Sequence, residues 1–382
     1  MADNNENKVL NVPHLRFPEF SGEWNKYTIN DLATVVGGGT PDTTVKSYWG
    51  GDIQWFTPSE IGKNKYVDFS KRTITRDGLD NSSAKLLPLH TILLSSRATV
   101  GECSIASNEC TTNQGFQSLI AKQCNIDFLY YLIQTKKKDL IRNACGSTFL
   151  EISANEIRKI KVAVPVQNEQ EQIAKLLSLI DERIATQNKI IEDLKKLKSA
   201  ISLKMLHSDS WKQFKIKDIA SIGRGRVISS VEISQQDNPL YPVYSSQTSN
   251  EGIMGYLDNF MFEGEYINWT TDGANAGTVF YRDGKFNCTN VCGLLKLGDE
   301  FDTYFVSLVL AEATKKYVST NLANPKLMNN TMGSIQIRLP KLKEQKRISI
   351  AFRKLRELLE VHNSLLTEYS KLKQYLLSQM FI

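Results

Sequence analysis

Hydrophobic residues recur at alternating steps of four and three positions through residues 165–206, which is the spacing of a coiled-coil seam. No glycine or proline interrupts this stretch after Pro165, a residue type that precedes helices but breaks their interior. The pattern predicts one helix about 60 Å long at 1.5 Å per residue. A helix of that length with one apolar side needs a partner to cover it.

The partner is predicted within the same chain, because residues 340–382 repeat the pattern at a constant offset, with Pro165 becoming Pro340. Even the polar interruptions of the seam coincide, since Gln187 matches His362. An ordinary amphipathic helix would not repeat its polar defects in this way, so we interpret the stretches as two copies of one element, packed together. The residues predicted to form the packing seam are Ile173, Leu177, Ile180, Ile184, Ile191, Leu194, Ile348, Phe352, Leu355, Leu359, Leu366 and Tyr369.

A second repeat precedes each helix. The stretch WNKYTINDLA that begins at Trp24 resembles WKQFKIKDIA, which begins at Trp211. The chain is therefore predicted as globular unit, helix, globular unit, helix. Between these anchors no similarity is evident, so the ends of the two units match and their middles differ.

Each globular unit is expected to mix helices and strands, which makes the fold class α+β with a pseudo-twofold repeat. Apolar runs bounded by turn residues predict strands, and longer periodic runs predict helices. The predicted strands are 52–56, 91–95, 160–164, 266–269, 278–281 and 335–339, and the predicted shorter helices are 127–135 and 301–316. The predicted divisions are a tail at 1–20, globular units at 21–165 and 208–340, and helices at 166–207 and 341–382, with residues 1–12 expected to be disordered.

Charge and composition narrow the function only slightly. The net charge is +6, and residues 341–382 alone carry +5 of it. The globular units are therefore nearly neutral, and their net charge does not indicate nucleic-acid binding. No apolar run is long enough for a membrane span, and the N-terminus lacks a signal-peptide core. The six cysteines form no CxxC pair and the four histidines are scattered, which favours free cytosolic thiols over disulfides or a zinc site.

No catalytic motif is convincing. The sequence NPLY at 238–241 resembles the Asn-Pro-Pro-aromatic signature of adenine methyltransferases, but its second proline is replaced by leucine and no glycine-rich cofactor loop accompanies it. A turn before a strand is the simpler interpretation. P-loop, Ser-His-Asp and HExxH patterns are not recognisable, and the scattered carboxylates neither support nor exclude a metal-dependent nuclease.

Loops rich in small polar and basic residues are the better candidates, because their side chains carry the groups that bind phosphates and base edges. Solvated surface loops are the alternative for each of them. The candidate DNA-binding residues are Lys63, Lys65, Arg72, Arg76, Lys85, Ser96, Arg97, Thr99, Asn113 and Gln114 in the first unit, and Arg224, Arg226, Ser245, Ser246, Gln247, Thr270, Thr271, Asn321, Asn324 and Lys326 in the second.

Taken together, these residues resemble the specificity subunits of type I restriction–modification systems. The resemblance covers nearly the whole chain from residue 12, including DIQWFTPSEI at 52–61, LPLHTILLSSRATVGE at 87–102, NQGFQSLI at 113–120, YPVYSS at 241–246 and both proline-led helix openings. No single string is diagnostic, but the duplicated order of units and helices is specific to this family.

The resemblance implies a non-catalytic, cytoplasmic reader of double-stranded DNA. Two target-recognition domains would each read half of a bipartite site, and the helices, packed as an antiparallel coiled coil, would set the gap and dock two modification subunits. It further implies that S-adenosylmethionine belongs to those subunits, that ATP and Mg belong to translocating restriction subunits, and that this chain binds no cofactor. A self-contained DNA-modifying enzyme and a coiled-coil scaffold without a DNA role remain the alternatives.

Overall fold

A computed structural model describes residues 11–146, 150–319 and 324–382. The chain divides into two compact units, the first formed by residues up to Lys189 together with Asn363–Ile382 and the second by Ile190–His362. The boundary between the two units therefore falls within both long helices, and not at the helix ends that the sequence suggested as divisions.

Among the described residues, the first unit contains ten strands and five short α-helices besides its shares of the long helices. Its strands are β1 (Asn25–Thr28), β2 (Ala33–Gly37), β3 (Trp49–Phe56), β4 (Tyr66–Val67), β5 (Arg72–Ile74), β6 (Ile92–Leu94), β7 (Cys103–Ala106), β8 (Cys110–Thr112), β9 (Gln117–Ala121) and β10 (Lys161–Val164). Its helices are α1 (Ile29–Leu32), α2 (Arg76–Asp80), α3 (Ile126–Thr135), α4 (Lys137–Arg142), α5 (Ala154–Lys159) and the start of α6 (Gln167–Met205).

In the part that the structure describes, the second unit has ten strands and four short α-helices besides the long ones. Its strands are β11 (Lys212–Lys215), β12 (Ala220–Arg224), β13 (Tyr241–Tyr244), β14 (Ile253–Leu257), β15 (Phe262–Glu263), β16 (Tyr266–Thr270), β17 (Val279–Arg282), β18 (Lys285–Cys288), β19 (Cys292–Leu297) and β20 (Gln336–Leu339). Its helices are α7 (Ile216–Ile219), α8 (Ser230–Ser234), α9 (Thr303–Ala313), α10 (Asn329–Ser334) and part of α11 (Leu342–Gln379).

The two units share a topology that reaches into their dissimilar middles. Each begins with a strand that pairs antiparallel with the strand before a long helix, β1 with β10 and β11 with β20. Each then has a mainly antiparallel sheet with a matching strand order. The order begins β2-β9-β6-β7 in the first unit and is β12-β19-β16-β17 in the second. Each unit also contains a matching parallel pair, β3 with β8 and β13 with β18, and the first unit has a second parallel pair, β4 with β7. The α+β prediction with an internal repeat is confirmed.

The long helices pack antiparallel within each unit. In the first unit Ile173 and Leu177 of α6 share a core with Leu376 and Met380 near the end of α11. An ion pair of 2.7 Å between Asp181 and Lys373 borders this contact. In the second unit the end of α6 (Ile201, Met205 and Leu206) shares a core with Ile348 and Phe352 at the start of α11. Seven of the predicted seam residues are buried, as the 3.5-residue period requires, and the other five are half-buried. The half-buried residues are Ile184, Leu194, Leu359, Leu366 and Tyr369.

A buried glutamine anchors the start of each long helix. The Gln170 side chain donates to the carbonyl of Pro165 at 2.9 Å and accepts from the backbone N–H of Asn125 at 3.0 Å. Gln345 makes the equivalent bonds to Pro340 at 2.9 Å and to Asp302 at 3.0 Å. Asn125 and Asp302 are the N-caps of α3 and α9, so each glutamine ties a long helix to its globular unit.

The N-terminal segment is anchored from residue 11 onwards. Arg16 donates to both carboxylate oxygens of the buried Glu169 at 2.7 Å, and the backbone N–H of Leu15 donates to Gln379 at 2.9 Å. Residues 11–20 therefore pack against the first unit, in contrast to the tail predicted for residues 1–20. None of the helices in the described residues combines the length and apolarity needed to cross a bilayer.

Candidate nucleic-acid interface

Three segments that are distant in sequence meet beyond the end of β6. The loop after this strand is closed by a hydrogen bond of 2.8 Å from the Ser95 N–H to Glu102. Ser96 then donates its N–H to Gly115 at 2.8 Å and accepts from Ile152 at 2.9 Å. We call residues 95–102, 113–115 and 150–152 the first loop cluster.

The second unit builds the same frame beyond the end of β16. Its loop is closed by a bond of 3.0 Å from the Thr270 N–H to Thr278. Thr271 donates its N–H to Val291 at 3.0 Å and accepts from Leu327 at 2.8 Å. Residues 270–278, 289–291 and 324–327 form the second loop cluster, whose loop is one residue longer than its counterpart.

Further backbone bonds extend the equivalence. Ala98 donates to Leu150 at 3.1 Å in the first cluster, as Gly273 does to Pro325 at 3.1 Å in the second. Asn113 donates to Phe56 at 3.0 Å, as Thr289 does to Tyr244 at 2.9 Å. Because these bonds involve only the backbone, the two frames are alike while their side chains differ.

One glycine packs closely against the backbone of each cluster, Gly38 in the first unit and Gly225 in the second. A Cβ on Gly38 would lie 2.5 Å from the carbonyl oxygen of Thr112 and still closer to that of Asn113. A Cβ on Gly225 would meet the carbonyl oxygens of Thr289 and Cys288 in the same manner. The two glycines occupy matching places in the sequence repeat that begins at Trp24 and Trp211, so this repeat reaches the loop clusters.

The predicted DNA-binding residues divide into those within the clusters and those outside them. Within the clusters lie Ser96, Arg97, Thr99, Asn113, Gln114, Thr270, Thr271, Asn324 and Lys326. Ser246 approaches the second cluster through its carbonyl, which accepts from Asn275 at 3.4 Å. Lys63, Lys65, Arg72, Arg76, Lys85, Arg224, Arg226, Ser245 and Gln247 lie outside the clusters, and Asn321 falls outside the described residues.

Several cluster residues point inward, which does not fit the base or phosphate contacts predicted for them. Ser96, Thr270 and Thr271 are buried. The Thr271 hydroxyl donates to Val291 at 3.0 Å. The Thr271 side chain thus supports the frame, and none of the three buried hydroxyls can reach a base edge. Of the predicted DNA-binding residues in the clusters, those with exposed side chains are Arg97, Thr99, Gln114, Asn324 and Lys326.

Lys65 is also committed within the protein and does not fit the predicted phosphate contact. Its ammonium group lies 2.7 Å from Asp127, donates to Ser178 of α6 at 2.6 Å and lies 4.8 Å from the Tyr131 ring centroid. The side chain is 9% exposed. Lys65 therefore joins its loop to α3 and α6, whereas its neighbour Lys63 is exposed and available.

The predicted arginines outside the clusters also have protein partners. The Arg72 guanidinium lies 3.6 Å from the ring centroid of Trp49, and Arg76 pairs with Asp80. Arg224 donates to Asn329 at 3.1 Å. Arg226 forms a bidentate pair with Glu232, and Glu232 holds the pKa of that arginine above its ordinary value. Arg72 and Arg224 nevertheless remain solvent-exposed.

One residue that the sequence did not single out braces the second unit. Arg282 is 5% exposed, donates to the Asn268 side chain at 2.9 Å and to the Glu251 carbonyl at 2.6 Å, and stacks on Tyr244. Burial lowers the pKa of this guanidinium. Its bond to Glu251 holds a turn in which Asn250 and Glu251 both have positive φ. The sequence signal that could have identified Arg282 is an arginine at a strand position whose side chain points into the core.

The NPLY stretch is a turn. Asn238 donates its backbone N–H to Asp258 at 2.9 Å, and Tyr241 starts β13. Among the described residues, no group of three histidine, cysteine, aspartate or glutamate side chains is placed to hold a metal ion.

Comparison with known proteins agrees with this duplication. Over 183 residues the chain is 39% identical to the specificity subunit of the type I restriction enzyme MjaIX from Methanocaldococcus jannaschii, a match that covers 46% of this chain and 42% of the relative. Over 230 residues it is 34% identical to a putative type I specificity subunit of Mycoplasma pneumoniae, covering 56% of this chain and 82% of the relative. The matched segment thus spans less than half of the first relative.

The fold is shared with a solved structure. The crystal structure of the S subunit of a type I restriction–modification system from M. genitalium superimposes with a TM-score of 0.70 at 18% identity, covering 97% of this chain and 99% of the other. A second solved chain, from work on assembly of the type I R-M system, has a TM-score of 0.57 at 12% identity. At these identities the likeness concerns the fold.

The family assignment follows from the duplicated domain. Residues 21–196 and 208–369 each match the type I restriction modification DNA specificity domain, so the two matches contain both loop clusters. The resemblance noted in the sequence is confirmed: the chain belongs to the family of type I restriction–modification DNA specificity subunits and carries two copies of its domain.

Proposed function

We propose that this chain is the non-catalytic DNA-specificity subunit of a type I restriction–modification complex, in which each loop cluster reads one half of a bipartite double-stranded target. One observation carries the proposal: the two clusters share the same backbone hydrogen-bond frame and display different side chains. A common frame gives both units the same way of approaching DNA, and different side chains let each unit prefer its own sequence.

The exposed polar and cationic side chains of the clusters have the chemistry for this task. Arginine and lysine reach the guanine acceptors of the major groove, and glutamine and asparagine pair with adenine. In this proposal Lys63 and Arg72, which are exposed outside the clusters, neutralise phosphates and so supply affinity without sequence preference. Buried residues such as Thr271 keep the frame rigid, so that the reading side chains are held in position.

The partners and cofactors follow from the same proposal. The chain works in the cytoplasm and binds no cofactor itself. Two modification subunits supply the S-adenosylmethionine chemistry, one at each matching half, and restriction subunits supply ATP- and Mg-dependent translocation and cleavage. The duplicated topology supports two equivalent docking positions, because each half presents the same elements beside a long helix. The long helices set the unread gap between the half-sites.

The test is to co-express the chain with its modification subunits, purify the complex and measure methylation of a library of random DNA duplexes. We expect two specific half-sites separated by a fixed unread gap, and no methylation by the chain alone. Methylation by the purified chain alone would identify it as a self-contained enzyme. An assembled complex without site preference would identify it as a scaffold.

A further inference from the structure

Each loop cluster contains one matched pair of oppositely charged residues, and the two charges exchange places between the clusters. In the first cluster Arg97 lies opposite Glu151 across an antiparallel bridge. In the second cluster Asp272 lies opposite Lys326 across the same kind of bridge. A cation and a carboxylate therefore face each other in both clusters, but each has moved to the other strand.

The equivalence of these bridges rests on their flanking hydrogen bonds. On one side, Ala98 donates to Leu150 as Gly273 donates to Pro325. On the other side, the residues preceding Arg97 and Asp272 accept from Ile152 and Leu327, respectively. Position 97 thus corresponds to 272, and position 151 corresponds to 326.

The bridge holds both charges on one face. Residues directly opposite each other on antiparallel strands have Cβ atoms about 4.5–5.5 Å apart and side chains on the same side. The Arg97 Nε lies 3.8 Å from Glu151 Oε2, and their side chains are 45% and 50% exposed. A pair so open to solvent contributes little to stability, because water and salt screen it.

A carboxylate at this place conflicts with simple affinity for DNA. Phosphates repel it, so an acidic residue in a DNA-facing cluster weakens binding to every sequence. The cost is offset when the carboxylate accepts a hydrogen bond from an exocyclic amino group, for which cytosine N4 is the usual partner in the major groove. The neighbouring cation then faces guanine O6 and N7, which belong to the same base pair.

We infer that each bridged pair reads one G·C base pair, with the cation on guanine and the carboxylate on cytosine, and that the reversed order in the second unit reads the pair in the opposite strand orientation. Glu151 and Asp272 become specificity residues, alongside the cations Arg97 and Lys326. The inference rests on the proposed function, since it requires both clusters to face DNA.

The test uses the complex with modification subunits and selection of methylated duplexes from a random library. Glu151→Gln removes the charge and keeps the size, and its expected effect is a loss of about tenfold or more in preference at one G·C position of the first half-site. The second half-site stays unchanged. Asp272→Asn produces the mirror result in the second half-site.

Glu156→Gln is the matched control, because Glu156 is a carboxylate of the same unit that pairs with Lys159 and is 41% exposed. It removes the same charge outside the cluster and leaves both half-sites unchanged. The charge reversal Arg97→Asp with Glu151→Lys is expected to turn the preferred G·C pair into C·G at that position, as in the second cluster. Unchanged melting temperatures show that these variants fold.

The inference is overturned if Glu151→Gln strengthens binding to all sequences equally, because the carboxylate is then only a surface charge. An A·T pair at the affected position, or a charge reversal that leaves the preference unchanged, also contradicts it. Failure of the proposed function is distinguishable from these results, since the wild-type complex would then show no bipartite preference at all.

Discussion

The glycines beneath the loop clusters allow the two units to be disabled one at a time. We expect Gly38→Ala to disrupt the first cluster and Gly225→Ala to disrupt the second. The new methyl group would lie 2.5 Å or less from backbone carbonyl oxygens of residues 112–113 or 288–289. Backbone atoms cannot rotate away as a side chain can, so the strands must separate by about 1 Å to reach ordinary van der Waals distance.

The magnitude follows from what that movement breaks. Overpacking costs about 1–3 kcal/mol, and each lost backbone hydrogen bond adds about 1 kcal/mol. In the first unit the bond of 2.8 Å from Gly39 to Thr112 and the bond from Asn113 to Phe56 are at risk. We therefore expect Gly38→Ala to lower the free energy of unfolding by about 3–5 kcal/mol.

Matched controls lie one or two residues away. A Cβ on Gly37 would lie 3.6 Å from the Gln117 side chain, which is ordinary contact, and one on Gly223 would meet no atom within 4 Å. Denaturant unfolding checks stability, and library methylation by the complex checks each half-site. Gly38→Ala should impair the first half-site and Gly225→Ala the second, while Gly37→Ala and Gly223→Ala leave both intact. Equal stability of Gly38→Ala and Gly37→Ala would refute the reasoning.

Four further changes test other parts of the account. Lys65→Met should lower the free energy of unfolding by about 1–3 kcal/mol because Asp127 loses a charged hydrogen-bond partner, whereas Lys63→Met should leave stability unchanged and reduce the salt slope of DNA binding by about one unit; the reverse outcome contradicts both assignments. Arg282→Met should lower stability and affect only the second half-site, which library methylation measures; a loss confined to the first half-site contradicts it. Duplicating residues 186–189 adds roughly 6 Å to a helix, so the unread gap should widen by one or two base pairs with some loss of activity; an unchanged gap at full activity would show that the helices do not set it.

The long helices and the flanking strands could be predicted from the sequence because periodicity and proline positions depend on local rules. The seam through Ile173 and Leu177 follows from the 3.5-residue period, and the helix start follows from Pro165. The six strands and two shorter helices that the sequence predicted lie within a few residues of observed elements, as Ile126–Thr135 illustrates. These features can be predicted because they depend only on the spacing of residues along the chain.

The shared topology of the central parts of the two units could not be predicted from the sequence. It depends on backbone hydrogen bonds, which many different residue types can form. Ser96 and Thr271 occupy the same place in the frame although the stretches around them share little. The burial of Lys65 was missed for a related reason. Its partners Asp127 and Ser178 are far away in sequence, so a basic stretch and a buried ion pair look alike until the chain is folded.

The central claim is that each unit reads its own half of one DNA target. Its most direct test is to map methylated adenines across the genome of a host that carries the wild-type chain or a variant with alanine at Arg97, Thr99 and Gln114, the predicted DNA-binding residues that are exposed in the first cluster. The account predicts a bipartite wild-type motif with a fixed gap, and a variant motif in which one half is relaxed while the other half and the gap are retained. Loss of sequence preference in both halves, or an unchanged motif, would contradict it.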